Sequence, residues 1–111
     1  MNDLKDLKVA DIIRSEAFAK ELRQQLDIEE AVQTKMIASG RTRRTTLDRL
    51  RERGVWNERD IAVLWPRVMD KTLVGYSTAE RRAIHAVCKA AYKRTMKKAM
   101  AEEKSEKGGE G

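Results

Sequence analysis

Residues 77–100 read STAERRAIHAVCKAAYKRTMKKAM and contain the strongest helix signals of the chain. The first four residues suit a capping box, in which the Ser77 side chain accepts from a first-turn N–H and Glu80 reaches back to the serine N–H. We predict one long amphipathic helix from there to about Met100. Its buried arc holds Ala83, Ile84, Val87, Cys88, Ala91, Tyr92 and Thr95, and its opposite, cationic arc holds Arg82, Lys89, Lys93 and Lys97.

Capping residues also divide the N-terminal part of the chain into helices. A short first helix is predicted from Leu4 to Ile13, and a second one, capped by Ser15, from Glu16 to Leu26. Asp27 and Glu30 suit another capping box, which predicts a further helix to about Ala38, ended by Ser39-Gly40. The side chains expected to be buried on that helix are Ile28, Ala31, Val32, the Lys35 stem, Met36 and Ile37.

Two more helices are predicted in the middle of the chain. One begins near Thr45 or Thr46 and stops at Gly54, where a left-handed glycine would place Val55 over Leu50. The other is opened by Asn57 with Asp60, and its apolar spacing continues through Pro66 toward Gly75-Tyr76. Because proline removes one helical hydrogen bond, we expect either a kink or two abutting helices there.

Composition agrees with a helical protein of one domain. The chain has 111 residues, one proline and 5% aromatic residues, and 38% of its residues are charged. Ala, Leu, Arg, Lys and Glu favour helix, and apolar residues build no convincing alternating run. We predict an all-α, compact bundle of about five helices over residues 1–100, with a disordered acidic and Gly-rich tail over residues 101–111.

Charge is unevenly distributed along the chain. The net charge of +6 combines −3 over residues 1–34, +11 over residues 35–100 and −2 over residues 101–111. A concentrated positive region favours a nucleic-acid or acidic-protein partner. It is equally typical of a basic helical domain whose charged face meets only water.

The residue types argue against several classes of site. His85 and Cys88 are the single histidine and the single cysteine. They lie three residues apart on one helix, but Cys88 falls on the apolar arc and is expected to be a buried structural thiol. Two such ligands do not complete a zinc site, so we predict neither a catalytic centre nor a metal or cofactor. Trp56 and Trp65 are expected to pack in the core.

The sequence does not favour a membrane-spanning or secreted protein. The longest apolar run, residues 61–66, is too short to cross a bilayer, and acidic residues interrupt the first apolar stretch. One cysteine cannot form an internal disulfide. We predict a cytoplasmic protein that does not bind a membrane.

Six arginines lie between Arg41 and Arg53, in the sequence RTRRTTLDRLRER followed by Gly54. The part from Thr45 to Val55 resembles the recognition helix and exit turn of helix-turn-helix and winged-helix transcription regulators. That resemblance implies a supporting helix over residues 28–38, with Leu47 and Leu50 against the core. The side chains it would turn toward DNA are Arg43, Arg44, Thr45, Thr46 and Arg49.

These features predict a small non-enzymatic protein that associates with nucleic acid. The resemblance implies that it is a regulator of the helix-turn-helix kind. An arginine guanidinium can form two hydrogen bonds to one phosphate, and a threonine hydroxyl can form one. The alternative is a protein–protein interaction module or homodimer whose basic face meets an acidic partner or water. The predicted nucleic-acid-binding residues are Arg41, Arg43, Arg44, Thr45, Thr46, Arg49, Arg82, Lys89, Lys93 and Lys97.

Overall fold

A computed structural model gives the fold of the chain, and it describes residues 11–40 and 45–109, with side chains as far as Glu102. The prediction of an all-α protein is confirmed. Residues 11–14 are helical and lead into the principal helices. These are α1 (Glu16–Ala38), α2 (Thr46–Glu52), α3 (Glu58–Met69) and α4 (Thr78–Gly109). The predicted helix over Leu4–Ile13 lies largely outside the described residues.

Helix α1 is a single helix where two had been predicted. Ser15 caps it as expected, since its hydroxyl accepts from the Phe18 N–H at 3.1 Å. Asp27 does not start a new helix. It lies within α1, with its carboxylate 3.7 Å from Arg23 one turn earlier. The capping-box prediction failed because neither glycine nor proline interrupts residues 16–38, so the intrahelical hydrogen bonds continue through Asp27.

Burial along α1 also differs from the prediction. Phe18, Leu22 and Leu26 are buried, and they belong to the half of the helix that packs in the core. The second half contacts α2 through polar side chains such as Glu30 and Gln33, but its apolar residues lack a covering element within the described chain. The residues wrongly predicted to be buried there are Ile28, Ala31, Val32, Lys35, Met36 and Ile37, all of which are exposed.

Helix α2 begins and ends where it was predicted to. Thr45 and Asp48 form a complete capping box at its start. At its end Gly54 takes a φ of +74°, and the Val55 N–H donates to the Leu50 carbonyl at 3.2 Å. This is the expected left-handed stop, with Val55 packed on the core.

Helix α3 starts at the predicted cap but ends earlier than expected. The Asn57 side chain accepts from the Asp60 N–H at 2.9 Å. Pro66 lies inside this single helix, so the alternative of two abutting helices is not what the structure shows. The helix ends at Met69, short of Gly75, because Lys71 adopts a left-handed φ of 59°. The Thr72 N–H then donates to the Arg67 carbonyl at 2.9 Å, which closes the helix with the hydrogen bonds of a Schellman motif.

Helix α4 is the element on which the other three pack. Its predicted capping box is present, with the Ser77 N–H donating to the Glu80 carboxylate at 2.9 Å and the Glu80 N–H donating to the serine hydroxyl at 3.1 Å. Ile84, Cys88 and Ala91 are fully buried beneath α1 and α3. Trp65 stacks on Phe18 with ring centroids 5.8 Å apart, and it closes the core between α1 and α3.

The C-terminal end of α4 is corrected from Met100 to Gly109. Residues 101–107 contain strong helix formers and neither glycine nor proline, which lets the helix continue past its last core contact. Ala101 and Glu102 are exposed. The expectation that residues 101–111 are disordered stays a prediction.

Candidate nucleic-acid interface

The outer side of α4 carries a row of cations, which we call the cationic face: Arg82, Lys89, Lys93 and Lys97. All four are exposed, and a helix places residues at these spacings on one side. They span about 22 Å at about 1.5 Å per residue. None of the four forms an ion pair with another described residue. The predicted grouping of these residues on one surface is therefore what the structure shows.

The threonines at the start of α2 have structural partners. The Thr45 hydroxyl caps α2 through the Asp48 N–H and also accepts from the Gln33 side chain of α1. The Thr46 hydroxyl accepts from Arg49 at 3.3 Å. Both side chains are partly buried, whereas Arg49 is exposed. Of these three residues, Arg49 is the one with an exposed, positively charged side chain.

Two arginines of the sequence cluster are held in ion pairs. Arg51 lies 3.2 Å from the Glu30 carboxylate of α1. Arg53 lies 3.3 Å from the Glu80 carboxylate of α4, and its guanidinium sits 4.4 Å from the centroid of the Tyr76 ring. These contacts connect α2 to its neighbours, so part of the cluster serves the fold.

The remaining predicted contacts of the cluster are Arg41, Arg43 and Arg44, and they lie outside the described residues. The start of α2, which follows them, is nevertheless placed. Thr45 and Thr46 line a cavity of about 250 Å³ together with Ala83 and Ala86 of α4. Ala86 is exposed between Arg82 and Lys89, so α2 begins beside the N-terminal part of the cationic face.

Two other cations of α4, Arg94 and Lys98, bind a buried carboxylate of α1, and the sequence did not identify them. Arg94 donates from Nε to the Glu21 carboxylate at 3.0 Å and from Nη2 to the Glu21 carbonyl at 3.1 Å. Lys98 binds the same carboxylate, and Arg94 also donates to Gln25 at 2.6 Å. Hydrogen bonds from Lys98 and Arg94 hold the pKa of Glu21 below its ordinary value.

A signal for this network was present in the sequence. Glu21 lies next to Leu22 and three residues after Phe18, which places a carboxylate at the border of the apolar face of α1. A carboxylate at such a position requires a cationic partner from another element. Arg94 and Lys98 border the buried arc of α4 in the same way.

His85 and Cys88 have different hydrogen-bonding partners. The His85 Nδ1 accepts from the Trp65 indole N–H at 3.0 Å. The Cys88 thiol is buried and lies 3.8 Å from the Ile61 carbonyl. Burial raises the pKa of this thiol, which favours its protonated form. Within residues 11–40 and 45–102, no group of three or more His, Cys, Asp or Glu side chains is placed to hold a metal ion.

Comparisons with known proteins identify no relative. No protein-family model, curated protein or solved structure matches this chain. As predicted, Leu47 and Leu50 of α2 are buried. The predicted supporting helix over residues 28–38 is instead part of α1, and α2 packs mainly on α4. Among the described helices, none has a stretch long and apolar enough to span a membrane.

Proposed function

We propose that the chain is a non-enzymatic nucleic-acid-binding protein that contacts phosphates mainly through the cationic face. The observation that carries this proposal is the row of four exposed cations without ion-pair partners on one side of α4. Arginine and lysine on such a surface bind phosphates by charge and release counterions from the nucleic acid. We include Arg49 of α2, which is exposed near Glu80 and Arg53, as a further phosphate contact in this proposal.

The charge pattern of α4 supports this use of the helix. Residues 81–101 contain seven basic residues and neither aspartate nor glutamate. An exposed helix that only needs solubility commonly mixes both signs, because opposite charges one turn apart stabilise it. Two of these basic residues, Arg94 and Lys98, neutralise Glu21, so the outward side keeps its positive charge.

The decisive experiment measures the salt dependence of binding. Fluorescence anisotropy with labelled duplex DNA and single-stranded RNA of mixed sequence would be recorded over a series of salt concentrations. If the cationic face neutralises about four phosphates, a plot of log K against log salt for duplex DNA should have a slope of about −3.6. A slope near zero, or no binding at low salt, would overturn the proposal.

A charge-matched pair of variants separates a localised interface from a general effect of net charge. Replacing Lys89, Lys93 and Lys97 with alanine should weaken binding strongly and reduce the magnitude of the slope by about 3. Replacing three exposed cations on other helices, Lys20, Lys35 and Arg59, with alanine removes the same charge. That control should change binding far less, and equal losses from both variants would contradict a specific face.

A second candidate function is a protein–protein interaction or homo-oligomeric module. The observation in its favour is the row of apolar side chains on the second half of α1. Ile28, Val32 and Met36 follow each other at one-turn intervals and are 44%, 48% and 39% exposed. If this row forms a dimer interface, light scattering should show a dimer that Val32→Asp dissociates and that Thr34→Asp, on another side of α1, leaves intact.

A further inference from the structure

An open groove of about 520 Å³ lies where the end of α3 meets the start of α4. Val68 and Met69 contribute its apolar surface from α3. Its polar surface comes from Lys71, after α3, and from the first two turns of α4. The volume lies within the range of about 300–1,000 Å³ that small-molecule sites commonly have.

The groove is lined by cations. Lys71, Arg81 and Arg82 converge on it from two different segments, and the described lining includes no acidic residue. Arg81 is held in place because its guanidinium donates to the Thr78 hydroxyl at 3.3 Å. Three positive side chains around one apolar surface favour a ligand that combines an anionic group with an apolar body.

His85 adds a hydrogen-bond donor of fixed tautomer. Because Nδ1 accepts the indole N–H of Trp65, the proton of the neutral imidazole must be on Nε2. His85 also lines the groove. Its Nε2–H is therefore the hydrogen-bond donor that this histidine can offer to a bound anion.

Lys71 occupies a backbone conformation that favours glycine. The described residues with positive φ are Gly40, Gly54, Gly75 and Lys71. Gly54 ends α2 in the same kind of left-handed turn with which Lys71 ends α3. With lysine at this position the fold is less stable than it would be with glycine. Helix termination alone therefore does not explain why a lysine occupies the turn.

From this geometry we infer that the groove between α3 and α4 binds a small amphipathic anion, a phosphate or carboxylate carried on an apolar body. Lys71 and Arg81 bind the anionic group by charge, with Arg82 beside them. The Nε2–H of His85 donates to it, and the apolar body lies on Val68 and Met69. This site overlaps the cationic face at Arg82 alone, and its other lining residues take no part in the nucleic-acid proposal.

The test uses hexyl phosphate, hexanoate, hexanol and inorganic phosphate as probes in calorimetric and NMR titrations. Hexyl phosphate or hexanoate should bind with a dissociation constant of the order of 1 mM, as expected for so few ligand atoms. Binding should shift the indole N–H resonance of Trp65 through its contact with His85. The relative affinity of hexyl phosphate and hexanoate identifies the preferred anionic group. The inference would be overturned if hexanol bound as tightly as hexyl phosphate and hexanoate. It would also be overturned if neither hexyl phosphate nor hexanoate bound.

Lys71→Gly provides a variant whose two effects have opposite directions. It should weaken binding of the preferred anion about three- to tenfold by removing one charged contact. It should also raise the melting temperature by several degrees, because glycine is unstrained at that φ. Unchanged affinity in this stabilised variant would show that Lys71 does not bind the ligand and would contradict the site.

Arg81→Gln and the Lys89, Lys93 and Lys97 triple alanine variant complete the design. The first should weaken binding of the anion, while the second should leave it within about twofold of the unmodified protein. The triple variant is the one expected to lose nucleic-acid binding. A failure of the groove proposal is therefore distinguishable from a failure of the proposed function.

Discussion

Arg94 reaches from α4 to Glu21 of α1 and holds its buried carboxylate with an Nε–Oε2 distance of 3.0 Å. Glu21 is only 2% exposed, and Lys98 completes the charge balance. This contact joins residues 73 positions apart in the sequence. It stabilises the packing of the two longest helices at a point where neither partner is apolar.

The Glu21 network should make the fold sensitive to acid. The pKa of Glu21 is lower in the folded protein than its ordinary value of 4.5. Its contribution to stability is therefore fully present above that value and is lost as the pH falls through the lower, folded pKa. Chemical denaturation at a series of pH values should show this loss, and Glu21→Gln should be less stable near neutral pH and show a shallower acid dependence. An unchanged acid limb in that variant would contradict the assignment.

Left-handed turns provide a pair of stability predictions. Lys71→Gly should stabilise the fold by about 1 kcal/mol, because its φ of 59° is strained for a residue with a Cβ atom. Gly54→Ala should destabilise it by about 1 kcal/mol, since Gly54 has a φ of +74° at the end of α2. Thermal unfolding of both variants checks the signs, and a stabilising Gly54→Ala would be incompatible with the observed turn.

The continuity of α1 predicts different roles for two residues that both resemble N-caps. Ser15→Ala should cost about 1 kcal/mol, because the serine hydroxyl caps the first turn. Asp27→Ala should change stability by less than about 0.5 kcal/mol, since Asp27 is exposed within the helix. Urea unfolding measures both. A larger cost for Asp27→Ala would support two separate helices.

The thiol of Cys88 should be protected in the native protein. It is fully buried, and burial raises its pKa, so the reactive thiolate is scarce. An aromatic disulfide reagent should react slowly in buffer and rapidly in denaturant. Rapid reaction under native conditions would reopen the possibility of a catalytic or redox cysteine.

Local signals in the sequence predicted much of the secondary structure. Capping at Ser15, Thr45, Asn57 and Ser77 depends on contacts within one turn, and all four caps are present. The same local logic failed at Asp27, where the preceding helix had no reason to stop. A capping residue marks a helix start only when something else ends the helix before it.

The errors in burial have a different origin. Ile28, Val32 and Met36 follow helical spacing as well as Phe18 and Leu22 do, but α1 extends past the neighbours that could cover them. Periodicity identifies a face and not the length over which another helix packs on it. The inward turn of Arg94 was missed for the same reason, since it depends on Glu21, a residue distant in the sequence.

The basic surface was predicted in part. The spacing of Lys89, Lys93 and Lys97 is a property of one helix and could be read directly. The groove around Lys71 could not be predicted from the sequence. It depends on where α3 ends and on the direction in which α4 starts after the intervening turn. A lysine in a left-handed turn has no sequence signature of its own.

The central position of α4 has a consequence for the order of folding during synthesis. A nascent chain that ends at Tyr76 contains α1, α2 and α3 but not the helix on which all three pack. When α1 packs on α4, the segment between them, which includes α2 and α3, must form a closed loop. Contacts between residues so far apart in the sequence form slowly. We expect Phe18 and Leu22 to stay partly accessible to chaperones until α4 has left the ribosome, so α1 is made before α2, α3 and α4 but is buried late.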